Sequence, residues 1–315
     1  MRAIIADSGV MSNICRKFFN KSLLPEEIEF VTIQLMYILF DIGGTKMRLA
    51  LSRDGKSFCD PTIVDTPQKF EDGMALFRET FLALAGKERV LAMAGGIAGV
   101  FDKRKGMLSN APNLPDWVGK PLRDELGKVC GAEVFIENDS ALVGLGEALA
   151  LAGNEQDIVV YITVSTGVGG ARIVGRKIDE AAIGFEPGHQ IIDPDNTLCP
   201  ECEGNDLESY VSGRAVGKRY GMKPYEVKEE ALWKETLPKF LAYGLNDTIV
   251  HWSPDVVILG GSMIVGDPAI SIEATEHYLK ELMHIFPNLP PIKKAKLGAE
   301  GGLYGALAYL KQNIV

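Results

Sequence analysis

Two rhythms of apolar residues divide the chain. Short solid runs that end in glycine alternate with longer stretches whose apolar positions recur three and four residues apart. The first rhythm predicts buried strands and the second predicts amphipathic helices. Tyr37-Ile38-Leu39-Phe40 leads into Asp41, and after Gly43-Gly44 a second run extends from Met47 to Ser52. That pattern predicts two strands hinged on a glycine turn. Met74, Phe77, Phe81 and Leu84 keep to one helical face. The run from Arg89 to Ala94 predicts a buried strand that Gly95-Gly96 closes, opening into a long loop that contains Asn110 to Trp117. Ala132 to Glu137 reads as a further strand, and Asn138-Asp139 precedes a helix through Leu142, Leu145 and Ala148.

The opening theme then returns. Asp157 to Val164 reads as a strand, Ser165-Thr166-Gly167-Val168-Gly169-Gly170 as a glycine turn, and Ala171 to Val174 as the start of the next strand. Two such units roughly 120 residues apart predict duplicated α/β domains facing a shared cleft. Val256 to Leu259 is a later buried strand ending in Gly260-Gly261, followed by a helix over Ile270 to Met283. Leu303, Leu307 and Leu310 give the last helix one apolar face, with Gly302 and Gly305 permitting close approach at its start. Residues 1–35 lack a strong period: Met36 is a candidate start, and the preceding segment reads equally as an added element or a tail.

Composition narrows the function more than the fold. A chain of 315 residues exceeds what one compact core usually organises, so two lobes are expected. The net charge of -9 excludes a surface built to attract nucleic acid, which concentrates Lys and Arg. No apolar run is long enough for a membrane helix and no signal-peptide layout opens the chain, so no membrane partner is expected and the default location is cytoplasmic. The five cysteines are scattered except for Cys199 and Cys202, which argues against a disulfide framework and leaves a local metal site open.

The candidate chemistry gathers at the glycine turns. Without a Cβ, backbone N–H groups can approach a phosphate closely, so Gly43-Gly44 reads as a phosphate turn or simply as a chain reversal. Asp41 is placed to hold a hydrated Mg²⁺, and Thr45 and Lys46 to donate to phosphate oxygens. The chain has no Walker A pattern. Asp139 could cap the helix it opens or serve as the carboxylate that orients an attacking hydroxyl, with Asn138 on an adjacent hydroxyl. Glu186, His189 and Glu208 suit sugar hydroxyls, or are solvated loop residues. His189, Cys199 and Cys202 are candidate zinc ligands that Asp206 or Glu201 could complete; two thiols without metal is the other reading.

These motifs, in this order, resemble the ROK (repressor, open reading frame, kinase) family of sugar kinases, from about Met36 to the C-terminus. Asp41-Ile42-Gly43-Gly44-Thr45-Lys46 is similar to its first phosphate motif, and Ser165 to Gly170 to its second, with Ser165 replacing a usual glycine. Asn113-Leu114-Pro115-Asp116-Trp117 resembles the substrate-side loop, Glu137-Asn138-Asp139 the catalytic motif, and Leu259-Gly260-Gly261 the adenosine-side turn. The resemblance implies an α/β fold of two ribonuclease-H-like (actin-like ATPase) lobes closing on ATP, Mg²⁺ and a hexose. The expected division is a smaller lobe of 36–138 with 302–315, a larger lobe of 139–301, and an extension of 1–35. It implies Asp139 as general base, with Gly96 (at the loop after its strand), Asn113, Asn138, Glu186, His189 and Glu208 around the sugar. It implies Gly43, Gly44, Thr166, Gly167, Gly169, Gly260 and Gly261 around the nucleotide, and a homo-oligomer, dimer or tetramer. Members of the family are also sugar-responsive repressors, so a regulator or an inactive sugar sensor is the alternative; residues 1–35 are too short for the DNA-binding domain those carry. The zinc motif departs from the pattern: Asp206 stands where a third cysteine is usual, and a weak or absent metal is the working expectation.

Overall fold

The structure is a computed structural model and describes residues 4–6, 31–33, 36–151 and 157–314. Within the first 35 residues, β1 (Ile4–Ala6) and β2 (Val31–Ile33) pair in parallel; the rest of that segment lies outside the described residues, as does any role expected of it.

The solid apolar run at Tyr37 becomes β3 (Met36–Ile42), at the centre of a five-stranded sheet with β4 (Lys46–Ser52), β5 (Thr62–Asp65), β6 (Val90–Ile97) and β9 (Glu133–Asn138), in the order β5-β4-β3-β6-β9. A short hairpin of β7 (Val100–Asp102) and β8 (Met107–Asn110) lies outside that sheet. The run is solid because both faces of β3 are covered. Met36, Ile38, Phe40 and Ile42 pack with Phe77 and Phe81 of α1 (Phe70–Ala85), while Leu39 between them packs with Leu303 and Leu307 from the C-terminal helix. β3 runs antiparallel to β4, and parallel to β6, which is parallel to β9. The α2 helix (Leu122–Cys130) precedes β9.

The second sheet repeats that plan. β10 (Ile158–Val164) is antiparallel to β11 (Val168–Val174) and parallel to β13 (Val256–Gly260), with β12 (Lys177–Ile178) and β14 (Ile292–Lys294) at the edges. A hairpin followed by a parallel strand in each sheet is the duplication that the glycine turns announced.

Two helices stand between the sheets. In α3 (Asp139–Leu151), Leu142 joins the core of the first sheet while Ala141, Leu145 and Ala148 join that of the second. The other is α9 (Gly301–Asn313), which crosses α3 so closely that a Cβ on Gly305 would overlap the Leu142 carbonyl. Glu147 of α3 is buried, and its carboxylate accepts the N–H groups of Lys296 (3.0 and 2.9 Å) and Leu297 (2.7 Å), fixing the segment that leads into α9. A carboxylate satisfied in this way is tolerable away from water. Between β12 and β14 the chain also forms α4 (Leu207–Val211), α5 (Gly213–Tyr220), α6 (Leu237–Trp252), α7 (Ser262–Val265) and α8 (Ile272–Leu282). Among the described residues no helix is long and apolar enough to cross a membrane.

Three local readings need correcting. Gly95 and Gly96 do not close β6: they lie inside it, with Gly96 in register between Asp41 of β3 and Glu137 of β9. Hydrogen bonding on both sides carries the strand through residues that have no side chain of their own to pack. The second glycine turn is shorter than its sequence suggests, because β11 begins at Val168 and takes Gly169 and Gly170 into the ladder opposite Thr163 and Ile162. The loop before Trp117 is partly structured, holding β7, β8 and a 3-10 turn over Pro115–Trp117, with Trp117 buried and its Nε1 donating to Pro67 O at 3.2 Å.

Candidate active site

Asp139 follows β9 and opens α3, where a carboxylate would ordinarily cap the helix. The capping belongs to its neighbour instead. Asn138 Oδ1 accepts the N–H of Ala141 at 3.1 Å, and Asn138 Nδ2 donates to Gly99 O at 3.0 Å. Asn138 is itself held by Glu137, whose buried carboxylate accepts the Asn138 N–H at 2.9 Å and meets Lys103. Among the described residues the Asp139 carboxylate has hydrogen bonds only with Ser140, through its N–H at 2.7 Å and its hydroxyl at 3.4 Å. It is therefore relieved of structural duty and available to a ligand.

Its electrostatics fit that availability. Withdrawal from water, and secondarily the charge of Asp41, push the Asp139 carboxyl up to about 7. Asp41 is the penultimate residue of β3, two strands away across Gly96, on which a Cβ would sit 3.0 Å from the Asp139 Cα. Burial also raises Asp41, against the opposing pull of the Arg48 guanidinium 3.1 Å from its Oδ2. Two carboxylates withdrawn from water, one of them raised by the charge of the other, make a donor set suited to Mg²⁺, which is commonly held by one or two carboxylates together with substrate phosphates. Among the described residues no three His, Cys, Asp or Glu side chains are grouped to hold a metal on their own.

The glycine turns border this pair. In the first, Gly43 N donates to Lys46 O at 3.0 Å, and Gly44 lies so close to Asn113 that an added Cβ would stand 2.5 Å from the Asn113 Cβ. Thr45 and Lys46 are exposed, with Lys46 Nζ 2.5 Å from Asp65 Oδ1 of β5. In the second, Ser165 N donates to Gly167 O at 2.8 Å, and the N–H groups of Gly213 and Arg214 donate to Ser165 O and Thr166 O at 2.7 and 3.1 Å. The third turn, at Gly260 and Gly261, touches the second through Ser262 Oγ, 3.1 Å from Ser165 Oγ. Gly167 is glycine for a steric reason. A Cβ there would meet Glu208 Oε2 at 2.5 Å, and that oxygen accepts the Val168 N–H at 2.7 Å. Glu208 is thus fastened directly to the second turn.

Glu186 stands before the 3-10 turn Pro187–His189, and its main-chain carbonyl accepts the His189 N–H at 3.1 Å. His189 Nδ1 and Asp206 Oδ2 share a hydrogen bond of 2.8 Å, which raises the imidazole pKa. Asp206 also caps α4 by accepting the Ser209 N–H at 2.9 Å. Asp206 had entered the sequence reading only as a spare zinc ligand; its signal was an aspartate set directly before a helix.

The cysteine pair matches neither of its two sequence readings, zinc ligands or free thiols. Cys199 and Cys202 are bonded to each other as a disulfide, a local pairing the cysteine spacing had not suggested. The Arg219 guanidinium lies 3.6 and 3.1 Å from their sulfurs, where a second cation would be repelled, and one nitrogen of His189 is committed to Asp206. Metal analysis of protein purified without chelators is expected to find zinc well below one per chain; stoichiometric zinc would contradict this assignment.

A family model described as "ROK family" matches residues 37–313. A glucokinase from Thermotoga maritima is 27% identical, the match covering 89% of this chain and 99% of that protein. An N-acetyl-D-glucosamine kinase from Histophilus somni is 28% identical over 87% of this chain and 98% of that protein. Among solved structures, a ROK family glucokinase from Streptomyces griseus in complex with glucose and AMPPNP is 25% identical, with a TM-score of 0.71 over 88% of this chain and 100% of that one.

Proposed function

Since the chain belongs to the ROK family, we propose that it transfers the γ-phosphoryl group of ATP to a hydroxyl of a hexose or hexose derivative, with Asp139 as general base. The observation that carries this reading is the release of Asp139 from capping by Asn138, beside Asp41 and between two glycine turns. Transfer to a hydroxyl needs a carboxylate that aligns the attacking oxygen and takes its proton late. The turns at Gly43-Gly44 and at Thr166-Gly167, with Gly169 behind, supply backbone N–H groups to the phosphates. Gly260 and Gly261 serve the adenosine side. Asn113, Asn138, Glu186, His189 and Glu208 take the remaining sugar hydroxyls. Asp41 would hold Mg²⁺, which when bound neutralises charge on the phosphates. Glu208 would stand between the two halves of the reaction: its carboxylate is fastened to the second turn, and its charge acts on Glu186 and His189, the residues assigned here to the sugar.

A coupled ADP-release assay tests the reading directly, run with glucose, mannose, fructose, allose and the N-acetylhexosamines. Sugar-dependent ADP release is expected for at least one, and none with any of them would overturn the reading. The same assay carries a pH signature. The base acts deprotonated, so kcat/KM should fall as pH drops through about 7, by tenfold per unit once well below it. An acid limb at the ordinary carboxylate value near 4 would remove Asp139 from the role.

A further inference from the structure

One cationic side chain joins the two glycine turns, and the sequence motifs did not single it out. Arg214 is the second residue of α5, and its backbone N–H donates to Thr166 O, which anchors it to the second turn. Its guanidinium reaches across the cleft, where Nη2 donates to Asn113 Oδ1 at 2.9 Å. Asn113 in turn packs against Gly44 of the first turn. A polyphosphate laid between the two turns would therefore run directly past this guanidinium.

The other cations near the first turn have acidic partners. Lys46 is paired with Asp65, and Arg48 with Asp41. Arg214 has a neutral amide oxygen as its partner, and it is exposed. Exchange of a neutral acceptor for an anionic one is favourable, because hydrogen bonds to ionised acceptors are roughly twice as strong. The planar fork of a guanidinium also suits two phosphate oxygens at once.

We propose that Arg214 is a polyphosphate-binding residue: with the nucleotide absent it ties the cleft through Asn113, and with ATP bound its guanidinium moves onto the β- and γ-phosphate oxygens. The inference rests on the kinase reading above, and it adds a side-chain contact to turns otherwise supplied with backbone N–H groups. It also gives the cleft a simple coupling: the group that releases Asn113, on the sugar-side loop, is the group that engages ATP.

The test is calorimetric titration of the full chain with ATP, ADP and AMP, without sugar, for the wild type, Arg214→Gln and Arg214→Lys. Glutamine keeps a donor for Asn113 and removes the charge; lysine keeps the charge and loses the fork. Arg214→Gln is expected to weaken ATP and ADP by about 10- to 100-fold, the equivalent of one lost charge-assisted hydrogen bond. AMP should change less than about twofold, and Arg214→Lys should recover at least half of the loss on a logarithmic scale. In turnover the KM for ATP should rise with it, while the sugar dissociation constant measured without nucleotide stays within about threefold. Unchanged ATP affinity in Arg214→Gln, or an equal loss for AMP, would reduce Arg214 to an interlobe tie and overturn the proposal. A wild-type chain that binds no ATP would instead remove the kinase reading beneath it, so the two failures are separable.

Discussion

Asp139→Asn is expected to lower kcat by about 10³-fold, within the 10²- to 10⁴-fold that a positioned base contributes, while sugar affinity stays within a few-fold. The substitution is nearly isosteric. Asn retains an oxygen for the Ser140 N–H, and the cap on α3 comes from Asn138, so helix and strand have no reason to move. A second readout separates loss of the base from loss of the fold. A carboxyl raised in the folded protein disfavours folding once it ionises: the penalty begins as pH rises above the unfolded value near 4 and is complete above about 7. Asp139→Asn should therefore be more stable than the wild type at neutral pH, by on the order of a kcal/mol or more, and equal to it near pH 3. Inactive yet stabilised is the signature of a site held at the expense of stability. Turnover near the wild-type level, or a variant less stable at pH 8, would each count against the assignment.

The turns were legible because they obey local rules: a solid apolar run ends, glycine follows, and another run begins. The same locality explains what was misread. Gly95-Gly96 looked like another such ending, but β3 and β9 flank it, and only the partner strands reveal that it continues. Whether Asp139 capped its helix was undecidable from position, since Asn138 beside it is an equally good capping residue; the hydrogen bonds decide it. Arg214 was silent because its partner Asn113 lies 101 residues away, and an arginine early in a short polar helix reads as a solvated one. The cysteine pair misled for a chemical reason. Thiols three residues apart in chain numbering suit a metal or a disulfide alike, and the choice here goes with Arg219, which no spacing rule connects to them.

Gly305→Ala should be the most damaging single methyl among the described glycines. The added carbon would overlap the Leu142 carbonyl, and neither partner is a flexible side chain that can turn aside. Relief requires α9 to slide on α3, and those helices are what each sheet shares with the other: Leu142 packs with Leu303 and Ala306 toward the first sheet, while Leu145 packs toward the second. Overpacking of this kind costs about 3 kcal/mol, and the better helix propensity of alanine returns about 1. The net loss of roughly 2 kcal/mol should lower the melting midpoint by about 3 °C. Gly302→Ala, one turn earlier on the same helix, is the control. Its Cβ would stand 3.3 Å from the Asp41 Cγ, a side-chain atom at the site rather than backbone at the crossing. Gly302→Ala is therefore expected to keep its melting midpoint and lose turnover through displacement of Asp41, while Gly305→Ala loses stability first. Equal melting of Gly305→Ala and the wild type would mean that the crossing of α3 and α9 does not hold the two sheets together.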